Sequence, residues 1–347
     1  MFVSDKIALF SDLHIGVHKD SSTWHKIALD FGDWFIEELN KNNIKDVVFC
    51  GDFFHTRHQI EQTSLSCGVE FLKKFKNFNV YMLPGNHCCY FRDNSNVHSL
   101  EPFKEWSNVK IFDKPTTVTS KNKTYTFCPW GIDIDTLPGG DILFGHFDIV
   151  NFKMNSFKVC DHGEDSEKLI QKYKQVITGH FHTRQHKIYE NDSSILYLGS
   201  PFQMDFGDRE QERGITILDT DSMNTEFVSY DTAPVHKKIL LSDIIEHKEN
   251  LEDFFKDLNG NFINLVVNTQ IDEKILDVIK TKITQKSPRD MRVDFNSQEV
   301  IHQDLSTFNA VGVDIPSAIN EFIQLMDISG IKDKVYTKTI EIHNNSI

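Results

Sequence analysis

The stretch Ile7-Ala8-Leu9-Phe10-Ser11-Asp12-Leu13-His14 decides the fold. An apolar run without alternation suits a strand buried on both faces. The Asp-x-His just beyond it sets two possible metal ligands at the strand's carboxyl end. The same arrangement recurs along the chain. Asp46–Cys50 runs into Gly51-Asp52, and Val80–Leu83 into Pro84-Gly85-Asn86-His87. Ile142-Leu143-Phe144 runs into Gly145-His146, and Val176–Thr178 into Gly179-His180-Phe181-His182. Loops at the carboxyl ends of the strands of an α/β sheet converge in space. These motifs supply two Asp, one Asn and up to five His, close to the ligand set of two divalent metals sharing a carboxylate. Gly51, Gly85, Gly145 and Gly179, each just before a candidate ligand, let the backbone turn without a Cβ clash.

Outward from these motifs the chain alternates strand and helix. Trp24, Ile27, Ala28, Phe31, Phe35 and Leu39 recur at helical spacing, residues 62–75 read as a second helix, and 97–106 can form a third. From Val109 the texture changes to short β-rich runs at 109–112, 116–118, 125–128, 141–144, 176–178, 195–198, 215–218 and 227–230. The expected architecture is a two-sheet α/β sandwich, its early strands parallel and its later strands in a second sheet. Asp231-Thr232-Ala233-Pro234 reads as a boundary. The expected organisation is a catalytic domain over 1–233, a smaller α+β cap over 234–300 and a C-terminal segment over 301–347. In the cap, 241–258 reads as helical, 262–267 as a strand, 272–283 as a helix and 291–295 as a strand. A last helix over 315–326 gathers Ile315, Ala318, Ile319, Phe322, Ile323 and Met326 on one face.

With 347 residues, 39% hydrophobic and 25% charged, the composition is that of an ordinary globular chain. No window approaches the about 18–20 apolar residues of a membrane span. The N-terminus enters a strand at once, which argues against a signal peptide and for a cytoplasmic location. Cysteines at 50, 67, 88, 89, 128 and 160 form no Cys-x-x-Cys pair, so buried reduced thiols are expected rather than a thiolate metal site. A net charge of −14 argues against binding nucleic acid through bulk charge. Two bound divalent metals would still add about four positive charges where a phosphate must sit.

The five motifs together resemble those of the calcineurin-like metallophosphoesterases. That resemblance implies that Asp12, His14 and His182 hold one metal, that Asn86, His146 and His180 hold the other, and that Asp52 bridges both. Mixed imidazole and carboxylate ligation suits Mn2+ best, with Fe2+, Zn2+ or Mg2+ compatible, rather than Ca2+. Two such metals activate a water and clamp phosphoryl oxygens. His87, beside Asn86 but outside the ligand set, is assigned to protonating the leaving group or stabilising the transition state.

A narrower resemblance is to the SbcD-type double-strand-break repair nucleases, above all the form found in tailed phages. Gly51-Asp52-Phe53-Phe54-His55, Pro129-Trp130 and Tyr197-Leu198-Gly199-Ser200-Pro201 carry it, with Gly207-Asp208 and Arg213-Gly214. It implies an exonuclease on duplex ends and endonuclease on single strands, acting in DNA repair, recombination and replication. It also implies a homodimer working with an SbcC-type SMC-like ATPase, and it places His55 at the substrate phosphate. One position departs from the pattern: the Asp expected after Gly-Asn-His is Cys88, followed by Cys89. A thiol is a weak acceptor, so either another acid, with Asp93 the nearby candidate, partners His87, or His87 is less basic.

Lys274, Lys280, Lys282, Lys286, Arg289 and Arg292 form a basic run in an acidic chain. Family likeness implies DNA-backbone contact for Lys280, Lys282, Lys286, Arg289 and Arg292; the competing reading is a solvated helix face, since Asp272, Glu273 and Asp277 interleave. The apolar helix over 315–326 either packs on its own chain or docks on the ATPase, as the family implies. His58, His98, His162, His186 and His302 match no motif and read as loop or surface histidines. The rival readings are a phosphoesterase acting on phosphoproteins or small phosphodiesters, and a non-catalytic scaffold. Every expected ligand position is filled, which disfavours the scaffold.

Overall fold

The computed structural model describes residues 2–155, 158–209, 211–295 and 336–338. Met1–Asp294 form one compact unit and Phe295–Ile347 another. The helix expected over 315–326 and His302 lie outside the described residues.

Each continuous apolar run is a strand buried on both faces. In the strand Lys6–Phe10, Ala8 and Phe10 enter a core shared with the flanking helices, while Ile7 and Leu9 enter the core between two sheets. Val47 and Phe49 against Val48 repeat the division in the next strand. The period of two in side-chain direction makes both faces apolar here. The helix Ser22–Lys41 covers the first sheet with Trp24, Ile27, Ala28, Phe31, Phe35 and Leu39, the six residues read at helical spacing. The helix Gln62–Lys74 lies beside it.

The first sheet runs in the order Thr225–Ser229, Gly214–Asp219, Lys6–Phe10, Asp46–Phe49, Asn79–Met82, Val109–Ile111. Its last four strands are parallel. The second runs Thr116–Ser120, Lys123–Phe127, Gly140–His146, Tyr173–Gly179, Ser194–Tyr197, Gln185–Ile188, parallel through its middle four. The two-sheet α/β sandwich is therefore the fold. Three strands differ from the sequence expectation: Val109–Ile111 joins the first sheet, parallel beside Asn79–Met82, and Gly214–Asp219 and Thr225–Ser229 extend its other side, antiparallel from Lys6–Phe10 outward, with Leu9 opposite Thr216. Both sheets offer apolar cores, so hydrophobicity alone cannot say which one a returning strand extends. Ile215 and Ile217 fill the helix-side core and Leu218 the core between the sheets.

Residues 97–106 differ too. They hold only the tight turn Glu101–Phe103. Pro102 lacks the amide that a longer helix would need, and Leu100 and Phe103 drop into the first core. His98, read as a surface residue, has a fully inaccessible side chain near Glu101 and Asp113, both of which pair with Lys104.

A third sheet, His236–Leu240, Phe262–Val267 and Asp290–Phe295, packs its own core with the helix Glu273–Gln285 through Ile239, Leu265, Leu276, Ile279 and Ile283. The helical reading of 241–258 breaks into the short pieces Leu241–Glu246 and Leu251–Phe254, joined and followed by tight turns. Trp24 meets this sheet in a stack: its ring lies 5.1 Å from Phe262 and 5.9 Å from His236, whose rings are 4.7 Å apart. Among the described residues no helix is long and apolar enough to cross a membrane.

Candidate metal centre

Five strand ends deliver the candidate ligands to one place. Asp12 and His14 follow Lys6–Phe10, Asp52 follows Asp46–Phe49, and Asn86 follows Asn79–Met82. His146 ends Gly140–His146, and His180 with His182 follows Tyr173–Gly179. Ligand atoms of Asp12, His14 and His182 lie within 4.8 Å of one another, as do those of Asp52, His146 and His180. Asn86 Oδ1 sits 2.9 Å from His146 Nε2 and 3.0 Å from His180 Nδ1, which adds it to the second group. Asp52 Oδ2 lies 3.2 Å from His146 Nε2 and 3.7 Å from His14 Nε2, between the two groups.

Local backbone geometry makes this convergence possible. Asp12, His14, Asp52 and His180 have φ of 55°, 47°, 63° and 98°, in the left-handed region. Each such residue costs on the order of 1–3 kcal/mol, tolerated where surrounding structure fixes it. Here the fixing bonds are visible. Asp12 N donates to Gly51 O and His14 N to Asp52 O, and His180 N donates to both Asp12 oxygens at 3.1 Å. At Gly51 (φ 96°) a Cβ would strike the His146 ring, and at Gly85 it would strike the Asp52 carboxylate.

Burial alone disfavours a charged His146. The carboxylates of Asp52 and Asp12 and the Cys50 carbonyl outweigh it and raise the His146 pKa to about 9. Burial likewise opposes ionisation of Asp52, yet His146, His14 and His87 hold its pKa well below the usual carboxylate range. A dication held by Asp52 and His146 would take the place of the proton that this pair retains. His14 and His182 turn their Nε2 atoms toward each other at 3.1 Å, so ring nitrogens converge beside Asp12. Imidazole nitrogens, two carboxylates and an amide oxygen form the borderline donor set that transition-metal dications prefer. The residues fit such ions.

His55 and His87 join the same cluster, with ligand atoms of His14, His55 and His87 within 4.8 Å. The His55 and His87 rings stack at 5.5 Å, and His55 Nδ1 lies 3.4 Å from His14 Nδ1. Burial, reinforced by His87 and His182, lowers the His55 pKa. His87 N donates to Asp52 Oδ1 at 2.8 Å, and its Nδ1 meets the His55 carbonyl oxygen at 2.5 Å. The acid considered as its partner, Asp93, accepts from Asn94 Nδ2 instead. Cys88 is buried, accepts the Phe53 N–H at 3.3 Å, and has its pKa pushed up to about 11 by burial and by Asp52. All six cysteines are free and buried, as expected.

Sequence reasoning missed Asp148, whose Oδ1 lies 2.7 Å from His180 Nε2. Trp130 was noted only as part of a motif; its ring covers His180 at 5.4 Å. The basic residues lie elsewhere, on the third sheet, its helix and the turn that joins them. Lys280 bonds Asp277, Lys286 bonds Glu252, and Arg289 Nε donates to Gly260 O. Arg292 lies 4.1 Å over the Phe206 ring and near Asp294, and Lys282 is exposed on the helix Glu273–Gln285.

The calcineurin-like phosphoesterase family model matches residues 5–184, which hold every candidate ligand. The chain belongs to this family. It is a metal-dependent phosphodiesterase, and its family fold implies a dinuclear divalent-metal site. This phosphoesterase is 26% identical over 299 residues to Exonuclease subunit 1 of Enterobacteria phage T4, across 78% of this chain and 86% of the relative. Among solved structures it is similar to a dimetal phosphatase from Danio rerio (10% identity, TM-score 0.39, 61% of this chain and 91% of that one). It is also similar to nuclease MPE from Pseudomonas putida (13% identity, TM-score 0.31, 63% and 87%).

Proposed function

We propose that this phosphodiesterase is a two-metal DNA nuclease, an exonuclease on duplex ends and an endonuclease on single strands. The observation that carries the reading is His55. A Gly-Asp-Phe-Phe-His loop puts it against His14 and His87, inside the cluster rather than on the surface. The similarity to a phage exonuclease subunit over most of both chains supports the same substrate.

Asp12, His14 and His182 would hold one ion, Asn86, His146 and His180 the other, and Asp52 both. Mn2+ is the ion of choice for this donor set. When bound, the pair supplies Lewis acidity toward the phosphoryl oxygens and an activated water. Asp52 has a further task, since its Oδ1 accepts the His87 N–H and so ties His87 to the ligand cluster. Because His87 Nδ1 donates to the His55 carbonyl, Nε2 is the ring atom free to face the leaving oxygen, and His87 in its imidazolium form gives up the Nε2 proton there and is left as the neutral Nδ1–H tautomer. His55, neutral through burial, orients a phosphate oxygen or the water beside it.

The finer parts of the reading follow from the family resemblance. The cap over 234–300 contacts DNA backbone through Lys282 and its basic neighbours, and the segment over 301–347 docks an SMC-like ATPase. Two copies pair as a homodimer, and the assembly works on DNA ends in repair and recombination in the cytoplasm. Deleting the residues after Asp314 then abolishes association with that ATPase and spares metal-dependent cleavage.

The deciding experiment is Mn2+-dependent digestion of an end-labelled linear duplex by the full chain and by Asp52→Ala. The wild type shortens the duplex and the variant does not. Hydrolysis of small chromogenic esters without any cut in DNA would move the assignment to another phosphoesterase.

A further inference from the structure

Asp148 lies two residues past His146, on the loop leaving the strand Gly140–His146. Its Oδ1 accepts from His180 Nε2 at 2.7 Å, with side-chain exposures of only 20% and 17%. A carboxylate can only accept there, so the His180 proton resides on Nε2 and the lone pair on Nδ1. Nδ1 is the atom 3.0 Å from Asn86 Oδ1, facing the ligand group. His146 is set the opposite way round. Its Nδ1 donates to the Cys50 carbonyl at 2.8 Å, which leaves Nε2 for the Asp52 and Asn86 side. One imidazole of the group is thus backed by a neutral carbonyl and the other by a full negative charge.

The position of Asp148 is itself built. Glu164 N donates to Asp148 O at 2.8 Å, Val150 N donates to Glu164 O, and Ile149 bridges Glu164. Gly163, at φ 96°, packs so closely that a Cβ would lie 2.5 Å from both Asp148 Cβ and Asp148 O. Trp130 and Phe181 hold the His180 ring, at 5.4 and 5.0 Å. Neither Asp148 nor the loop that clamps it belongs to the motifs that define the ligand set.

We infer that Asp148 is a positioning residue that sets the divalent-cation affinity of the His180 side of the centre. It acts by fixing the His180 tautomer and by strengthening His180 as a donor, and it touches no substrate. A carboxylate behind a ligating imidazole raises ligand basicity and restricts ring rotation. The inference rests on the ligand assignment proposed above.

Calorimetric titration of the metal-stripped full chain with Mn2+ alone tests it, using wild type, Asp148→Asn and Asp148→Ala. The Asn side chain keeps an acceptor oxygen and loses the charge; Ala loses both. Wild type should take up two ions. In Asp148→Ala one site should weaken about 10- to 100-fold while the other stays within about threefold, with Asp148→Asn in between. Added Mn2+ should then restore phosphodiester turnover in both variants. Wild type that binds no Mn2+ would sink the ligand assignment itself. Wild type that binds two ions, with both variants keeping both affinities, would overturn only the role of Asp148. Equal weakening of both sites together with a lowered melting temperature would do the same, because it marks a merely structural residue. If Asp148→Ala does not fold, the isosteric Asp148→Asn decides alone.

Discussion

His87 Nδ1 lies 2.5 Å from the carbonyl oxygen of His55, while the Cys88 thiol next to it turns away to accept the Phe53 N–H. A main-chain oxygen therefore does for His87 what was expected of a carboxylate at position 88: it accepts the Nδ1 hydrogen bond and directs Nε2 outward. A carbonyl is uncharged, so it orients the ring without the electrostatic support a carboxylate would lend to an imidazolium.

The first prediction concerns His87 itself. His87→Asn should lower kcat on oligonucleotides by about 100- to 10,000-fold, the usual range for a lost general acid. KM and Mn2+ uptake should hardly move, because His87 stands outside the ligand groups. The deficit should shrink on a nitrophenyl phosphodiester, whose leaving group needs no proton. An equal loss on both substrates would rule out leaving-group protonation.

Cys88 gives a second, opposite expectation. The side chain faces the Phe53 amide in the core, so Cys88→Asp buries a carboxylate beside Asp52 instead of presenting it to His87. Activity should stay within about threefold or fall, and the melting temperature should drop, since an unpaired buried charge is costly. A tenfold rise in kcat would show that a carboxylate here does reach His87 and that the natural enzyme works with a weakened acid.

The centre should also stabilise the fold when loaded. Ligands that bind only the native state add about 2.7 kcal/mol at a hundredfold excess over Kd. Melting temperature should rise with Mn2+, fall back on addition of a chelator, and rise far less in Asp52→Ala, whose missing carboxylate lies between the two candidate ligand groups. A Mn2+ shift as large in Asp52→Ala as in wild type would place the metal elsewhere.

How much of this was legible beforehand depends on where the information resides. The strand runs and the residues after them announced the sheet ends, because burial on both faces leaves an unbroken apolar signature and the ligands follow at once. Their convergence follows from topology that the strand–helix alternation implies. Sheet membership of 215–218 and 227–230 was not legible, because two apolar cores compete for any apolar strand. Asp148 was hidden for a different reason: an acid two residues past a ligand has no pattern, and its role exists only once the Cys160–Glu164 loop folds back on it. The partner of His87 was hidden more deeply still, since a backbone carbonyl has no residue type. His98 misled because a polar residue in a polar stretch reads as solvated, whereas Leu100 and Phe103 pull the whole turn inward.

Outside the centre, the stack of Trp24, His236 and Phe262 supplies a prediction about acid stability. Burial lowers the His236 pKa from 6.5 to about 4; Asp205 and Asp208 oppose the shift, and His18 and Arg292 add to it. Its Nδ1 has no hydrogen-bond partner, so the ring lies against Phe262 and Trp24 as a neutral apolar plate. Between pH 6.5 and about 4 the unfolded chain binds the proton and the native chain does not. Stability from this residue is therefore fully present above pH 6.5 and lost as pH falls toward 4, by on the order of 1–2 kcal/mol after solvent screening. His236→Phe keeps the stack and removes the titration. Urea unfolding of both proteins at pH 7.5 and pH 5 should show the variant equal to or more stable than wild type at the higher pH, and losing less on acidification. Identical losses in the two proteins would mean that His236 is protonated within the fold and that the stack survives as a cation–π pair.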